Sequence, residues 1–324
     1  MNPSVDTTGS EWTLVEEAVF RLFAELGQRE EHVAIGERLA ELGWSDIETE
    51  YPIAACELLF RAQGRYLTTT DCLDRVILAE ITPVLGAVDG VVLPALDGDE
   101  SDAGQVRGMV AGTPRGRLAV AIPNAGNVSL AVLNADELDC RRLDTFDPSV
   151  HWTSVTGPIP PTVTEGSAHW TNALGAARRA LATELIALGD EALRLAIEHV
   201  TARTQFGAQI GSFQSPRHAL AQAFAELEGA RALLNESWRF GGTVSAQAAK
   251  AAAGRAHRAV ADVALQVCGA IGVTAEHELH RYVRRGMQLD SLCGSYALLE
   301  AELAEQLFER SRQDDGLPTI VSCG

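Results

Sequence analysis

The chain is predicted to be an α+β protein, mainly α: an N-terminal helical domain over residues 1–86, a small central β domain over 87–160, and a C-terminal antiparallel four-helix bundle over 161–324. Three observations predict this. Apolar residues recur at helical spacing in both end regions, short β-branched runs separated by Gly, Pro, Asn and Asp lie between them, and the last helical region holds four long segments with short connections. At 324 residues the chain also exceeds what one hydrophobic core commonly serves, so several packed units are expected.

Val15, Val19, Leu22 and Leu26 fall on one face of a helix from Glu11 to Leu26, and Ile35, Leu39 and Leu42 mark a second that ends near Gly43 and Trp44. Helical text then runs from Ala54 to Ile81, with a break expected around Gly64 and an end at Pro83. Strands are expected at Val88 to Leu93, Val106 to Ala111, Leu118 to Ile122, Val128 to Leu133 and His151 to Val155. The acidic tract Asp97 to Asp102 reads as an exposed loop, and Pro158, Pro160 and Pro161 as the way out of the β region. Beyond Ser167 one helix carries Leu181, Leu185, Leu188, Ala192 and Leu195, and another opens at Ser215 and Pro216, a cap followed by proline. A third spans about Ser245 to Val267. The fourth starts near Leu279, is interrupted at Gly294 and resumes through Leu299, Leu303 and Leu307.

The formal net charge of −18 argues against a nucleic-acid partner, because phosphate neutralisation needs a basic face, and against an anionic membrane surface for the same reason. The start, Met1 to Asp6, lacks the basic and apolar regions of a secretory signal, and no apolar run approaches a membrane span. The six cysteines (Cys56, Cys72, Cys140, Cys268, Cys293 and Cys323) show no CxxC spacing, so neither a disulfide framework nor a zinc site is expected. A reducing cytoplasm fits these features. His199, His218, His257, His277 and His280 lie at scattered spacings and read as surface or interface residues, with no metal ligands among them.

Chemistry concentrates in two stretches. Arg203 Thr204 Gln205 Phe206 Gly207 closes on Phe213 Gln214, and Gln266 Val267 Cys268 Gly269 Ala270 Ile271 Gly272 follows some fifty residues later. An arginine and glutamines at helix ends can grip a diphosphate, since a guanidinium fork matches phosphate oxygens and amides add neutral donors. Taken alone, Arg203 could cap a helix C-terminus or pair with Glu198, and Gln266 could be an ordinary core or cap residue.

These residues resemble the acyl-CoA dehydrogenase family. Arg203 to Gly207 is similar to its R-x-x-F-G turn, Phe213 Gln214 to the F/H-Q that follows, and Gln266 to Glu276 to its Q-x-x-G-G-x-G-x-T-x-E stretch, with Ala270 in place of the second glycine. His280, Arg281, Arg284 and Arg285 continue the match, and Leu39 to Trp44 also resembles family sequence. The resemblance implies FAD bound across a subunit interface. Arg203, Gln205, Phe206, Gln214, Gln266, Gly269 and Gly272 would belong to the half that reaches a neighbour's pyrophosphate and adenosine.

The other half departs from the pattern. Gly90 to Leu133 lacks the tryptophan and hydroxyl-bearing loops by which the family cradles the flavin ring. The two positions where family members carry the glutamate base fall on Cys293 and Ala177, and neither residue supplies a carboxylate. The nearby acids Asp290 and Glu300 are shifted along the helix. The resemblance therefore implies a noncatalytic subunit, like those of actinobacterial α2β2 acyl-CoA dehydrogenases of steroid side-chain degradation. Its partners would be a paralogous catalytic subunit, an acyl-CoA substrate and electron-transfer flavoprotein. The alternatives are a homotetrameric dehydrogenase with a relocated base, and a flavin-less scaffold or CoA-binding protein.

Overall fold

A computed structural model describes residues 10–27, 32–95 and 104–313. The start Met1 to Asp6, the acidic tract Asp97 to Asp102 and Cys323 lie outside the described residues. The chain divides by contact into two units. The first holds the described residues up to 56 together with 68–180, and the second holds 57–67 and residues from 181 onward.

The first unit contains helices α1 (Ser10–Leu26), α2 (Gly36–Ala40), α3 (Trp44–Glu50), the beginning of α4 (Pro52–Tyr66) and α5 (Cys72–Leu85). Its seven strands are β1 (Gly90–Pro94), β2 (Gln105–Ala111), β3 (Arg117–Asn124), β4 (Asn127–Asn134), β5 (Asp139–Arg142), β6 (Trp152–Pro158) and β7 (Thr164–Glu165). They form one sheet in the order β5-β6-β2-β1-β3-β4-β7. The β1–β3 pair is parallel, with Gly90 opposite Leu118, and every other pairing in the sheet is antiparallel. Val92, Val106, Val110, Leu118, Val120, Ile122, Leu133 and Val155 pack together as its core. All five expected strands are present.

The second unit is the bundle. It comprises the later part of α6 (Ser167–Ala202), a hairpin of β8 (Thr204–Gln205) and β9 (Ala208–Gln209), then α7 (Gln214–Phe240), α8 (Thr243–Cys268), α9 (Leu279–Asp290) and α10 (Tyr296–Gln313). Along α8, buried Ala246, Ala249, Ala253, Gly254, Ala256 and Ala261 are small enough to let neighbouring helices approach closely.

Several local expectations are corrected by contacts that a linear pattern does not contain. Gly64 lies inside α4, because a Cβ there would stand 2.8 Å from the Glu184 carbonyl oxygen on α6; the glycine serves close packing, and the break comes after it, at Leu67 with φ 53°. Pro83 is also inside its helix: it removes one donor in the last turn of α5, which Gly86 N–H closes onto the Thr82 carbonyl at 2.8 Å. Helix α7 begins at Gln214 with Phe213 as its N-cap, two residues before the expected Ser215 cap. Helix α3 and the short strands β5 and β7 were not anticipated.

Several polar side chains buried in the bundle find partners within it. Gln63 donates to Glu184 Oε2 at 2.8 Å, Arg285 Nη1 approaches Glu184 Oε1 at 3.9 Å, and Arg285 Nη2 donates to the Leu67 carbonyl at 3.3 Å. His257 is 2% exposed and donates from Nε2 to the Tyr282 carbonyl at 3.3 Å. Its pKa is pushed from 6.5 down to about 4, first by burial and then by the Arg258 charge, against the opposing pull of the Tyr282 carbonyl. The ring lies where a Cβ on Gly286 would be.

A histidine with a depressed folded pKa stabilises the fold above its unfolded pKa and ceases to do so as pH falls toward the folded value. The unfolding midpoint is therefore expected to drop between about pH 7.5 and about pH 5. In His257→Gln that drop should shrink by on the order of 2 kcal/mol in denaturant titrations. Gly286→Ala, which presses a methyl group into the imidazole, should cost about 1–3 kcal/mol at neutral pH in the same assay.

Candidate cofactor-binding site

The two motif stretches meet at one end of the bundle. Helix α6 runs out through Arg203, whose N–H bonds the His199 carbonyl at 2.9 Å. The chain then makes a two-residue hairpin, closed by Ile210 N–H on the Arg203 carbonyl at 2.9 Å, with Phe206 at φ 54° and Gly207 at φ 78° as its central residues. Positive φ at both positions is the tight hairpin turn that matches strand twist. Gly207 adopts it freely, whereas Phe206 does so against its Cβ.

The second stretch ends α8. Gly269 caps the helix at φ 64°, its N–H on the Leu265 carbonyl, and a short 3₁₀ turn over Gly269–Val273 leads toward α9. His199 near the end of α6 and His277 before α9 are edge to face at a centroid separation of 6.0 Å. Cys268 stands beside both. The pKa of His199 is lowered by burial first, then by the neighbouring His277 and Arg203 charges, so Arg203 projects from this same corner.

Arg203, Gln205, Gln214 and Gln266 are all exposed, and among the described residues their side chains have no hydrogen-bond partner. Glu198, the acid most suited to neutralise Arg203, is instead engaged by Arg194 at 2.6 Å. Phe206 is 95% exposed and forms an edge-to-face pair with Phe213 at a centroid separation of 6.4 Å. The two glycines differ. A Cβ on Gly269 would meet nothing within 4 Å, whereas on buried Gly272 it would stand 3.0 Å from Cys268 Cβ and 3.2 Å from Leu279 Cδ2. Gly269 thus leaves its backbone open to a ligand, and Gly272 serves close packing beneath the turn. An exposed guanidinium, three free amides and an uncovered glycine turn fit a diphosphate, which needs several donors and close backbone approach.

The family description "Acyl-CoA dehydrogenase, C-terminal domain" matches residues 164–308. This part of the chain is an acyl-CoA dehydrogenase C-terminal domain. A curated relative, "Acyl-CoA dehydrogenase IpdE2" of Mycobacterium tuberculosis, is 34% identical over 121 residues, 37% of this chain and 36% of the relative. The chain thus spans about a third of that relative's length in the match. Two solved structures share the fold over nearly the whole chain. A variant of the Tcur3481-Tcur3483 steroid ACAD has a TM-score of 0.74 at 20% identity, covering 94% of this chain and 99% of that one. The ChsE4-ChsE5 complex from Mycobacterium tuberculosis has a TM-score of 0.72 at 18% identity, covering 92% and 96%. The helix, sheet and bundle order is accordingly that of the acyl-CoA dehydrogenase fold.

Within this acyl-CoA dehydrogenase fold the expected base positions hold no acid. Ala177 is fully buried in α6, and Cys293 is half-buried in the turn between α9 and α10 at φ 55°. The acids nearest Cys293 are committed elsewhere. Asp290 accepts from Lys250 at 3.3 Å and from Tyr296 N–H at 3.2 Å, and Glu300 accepts from Arg255 at 2.6 Å. Lys250, the only lysine, is fully buried and also donates to the Asp290 and Gly294 carbonyls at 3.0 and 3.3 Å. Sequence reasoning did not assign Lys250 this role. Its isolation in an otherwise arginine-only chain was the available signal. Among the described residues no helix is long and apolar enough to cross a membrane.

The Phe206 ring buries almost nothing within this chain while its backbone occupies the left-handed region. Phe206→Asn, with a residue that tolerates that region, should leave the thermal midpoint of the isolated chain unchanged or stabilise it by up to about 1 kcal/mol. Differential scanning calorimetry checks this.

Proposed function

We propose that this chain is the noncatalytic subunit of a heteromeric acyl-CoA dehydrogenase, an α2β2 assembly in which it holds the diphosphate tail of an FAD. The flavin ring and the proton-abstracting base are housed by a paralogous partner subunit. Members of the acyl-CoA dehydrogenase family are FAD-dependent. The observation that carries the proposal is the pairing of an intact, exposed donor set at the bundle end with Ala177 and Cys293 at the positions of the base. Arg203 would hold phosphate oxygens through its fork, Gln205, Gln214 and Gln266 would add neutral donors, and the Gly269 backbone would let the ligand approach. Phe206 would pack against the partner at the tip of the hairpin. Bound FAD would supply the hydride acceptor for α,β-dehydrogenation of a CoA thioester.

Support for a two-chain assembly comes from the ChsE4-ChsE5 complex, and for a steroid side-chain thioester from the Tcur3481-Tcur3483 steroid ACAD. Electron-transfer flavoprotein is the proposed acceptor, and the cytoplasm the proposed compartment. A homotetramer with a relocated base finds less support, because Glu184, Asp290 and Glu300 each already bind a cationic or amide donor within the bundle.

Co-expression with an adjacent paralogue tests the proposal. The pair should purify yellow and reduce a dye with an acyl-CoA, and the chain by itself should do neither. Arg203→Ala in the pair removes charge-assisted bonds, so FAD affinity should fall about ten- to a hundredfold. Unchanged flavin occupancy, or thioester oxidation by the isolated chain, would overturn the proposal.

A further inference from the structure

We propose that His199, Cys268 and His277 form a binding site for one divalent cation of the zinc class. One donor atom from each residue lies within 4.8 Å of the other two. Metal–ligand bonds of about 2.0–2.3 Å in a tetrahedron set donors roughly 3.5 Å apart, so closure by about an ångström completes the geometry. The donor set selects the ion: two imidazoles and a thiolate favour zinc or cobalt over magnesium or calcium, which take oxygen ligands. Cys268 is buried beneath the site, and half-buried His199 and His277 leave a path for the cation and a fourth position for water. On coordination Cys268 releases its thiol proton to solvent, and the sulfur–metal bond takes its place.

Without metal, His277 Nδ1 accepts the Leu279 N–H at 3.1 Å, which places the ring proton on Nε2. Coordination through Nδ1 displaces that amide directly. Coordination through Nε2 sends the proton to Nδ1, which then ceases to accept. Either way one local hydrogen bond is exchanged for a metal bond. The three donors come from the end of α6, the end of α8 and the turn before α9, so an ion here would tie together the segments that carry Arg203 and Gly269. The site rests on donor geometry and is independent of the flavin proposal, since its probe is the metal alone.

The test is titration of the untagged full chain with Co²⁺, followed by Zn²⁺ displacement. One equivalent should bind with a sulfur-to-cobalt charge-transfer band and visible transitions of tetrahedral intensity, and Zn²⁺ should bleach both. Cys268→Ser should abolish the band, and His277→Gln should weaken binding at least about tenfold. Because Cys268 is buried, the half-exposed His277 variant carries the test if the serine variant does not fold. Absence of stoichiometric cobalt binding, or binding unchanged in His277→Gln, would overturn the proposal.

Discussion

The ammonium group of Lys250 is the constraint on which the C-terminal bundle depends. A charge taken out of water must find compensating partners in a fixed arrangement, and here they are the Asp290 carboxylate and the carbonyls of Asp290 and Gly294. All three lie where α9 turns into α10. Burying the lysine on α8 therefore fixes that turn, and Gly254 one helical turn along α8 leaves the space that the Asp290 carboxylate and Tyr296 occupy. With Asp290 further held by the Tyr296 N–H, Cys293 and Gly294 are left to complete a tight reversal at φ 55° and 100°. Removing one partner of such a pair commonly costs about 3–5 kcal/mol, because the other charge stays buried. What the pair supplies is a unique geometry more than net stability.

The long helices and five of the strands were legible because burial on one face writes a period into the sequence. What the pattern did not reveal depends on neighbours distant in the chain. Gly64 looks like a helix breaker until the Glu184 carbonyl is seen against it, and then its missing side chain is the reason α4 can pack on α6. Strand β5, Asp139–Arg142, is exposed at all four residues, so it carries no apolar alternation; its pairing is dictated by β6, with Asp139 opposite Thr156. The unexpected helix α3 follows Gly43 in the left-handed conformation, where a stop signal for one helix became the entry to the next.

The candidate site divides the same way. Arg203 to Gly207 and Gln266 to Gly272 were readable since each is a local turn whose chemistry is carried by neighbouring residues. The resemblance put both in one half of a cofactor site, whereas the His199–Cys268–His277 cluster was not legible, because its members come from the end of α6, the end of α8 and the turn before α9. Gly269 and Gly272 look equivalent in sequence. Only the surroundings separate the open turn from the packed one.

The pattern of charge satisfaction supports the proposed anion at the bundle end. In a chain of net charge −18, arginines readily find acids, and Arg194, Arg231, Arg255, Arg258 and Arg281 of this unit all do. Arg203 does not, although Glu198 lies five residues before it in sequence. That acid is drawn to Arg194 on the preceding turn, so the guanidinium at the helix end keeps its full donor capacity. The hairpin then carries Gln205 beyond the bundle surface, at the expense of a strained, solvent-facing Phe206. Strain and an exposed aromatic ring are costs that the isolated chain has no use for, and both are accounted for if a phosphate and an apolar surface on another chain meet that corner.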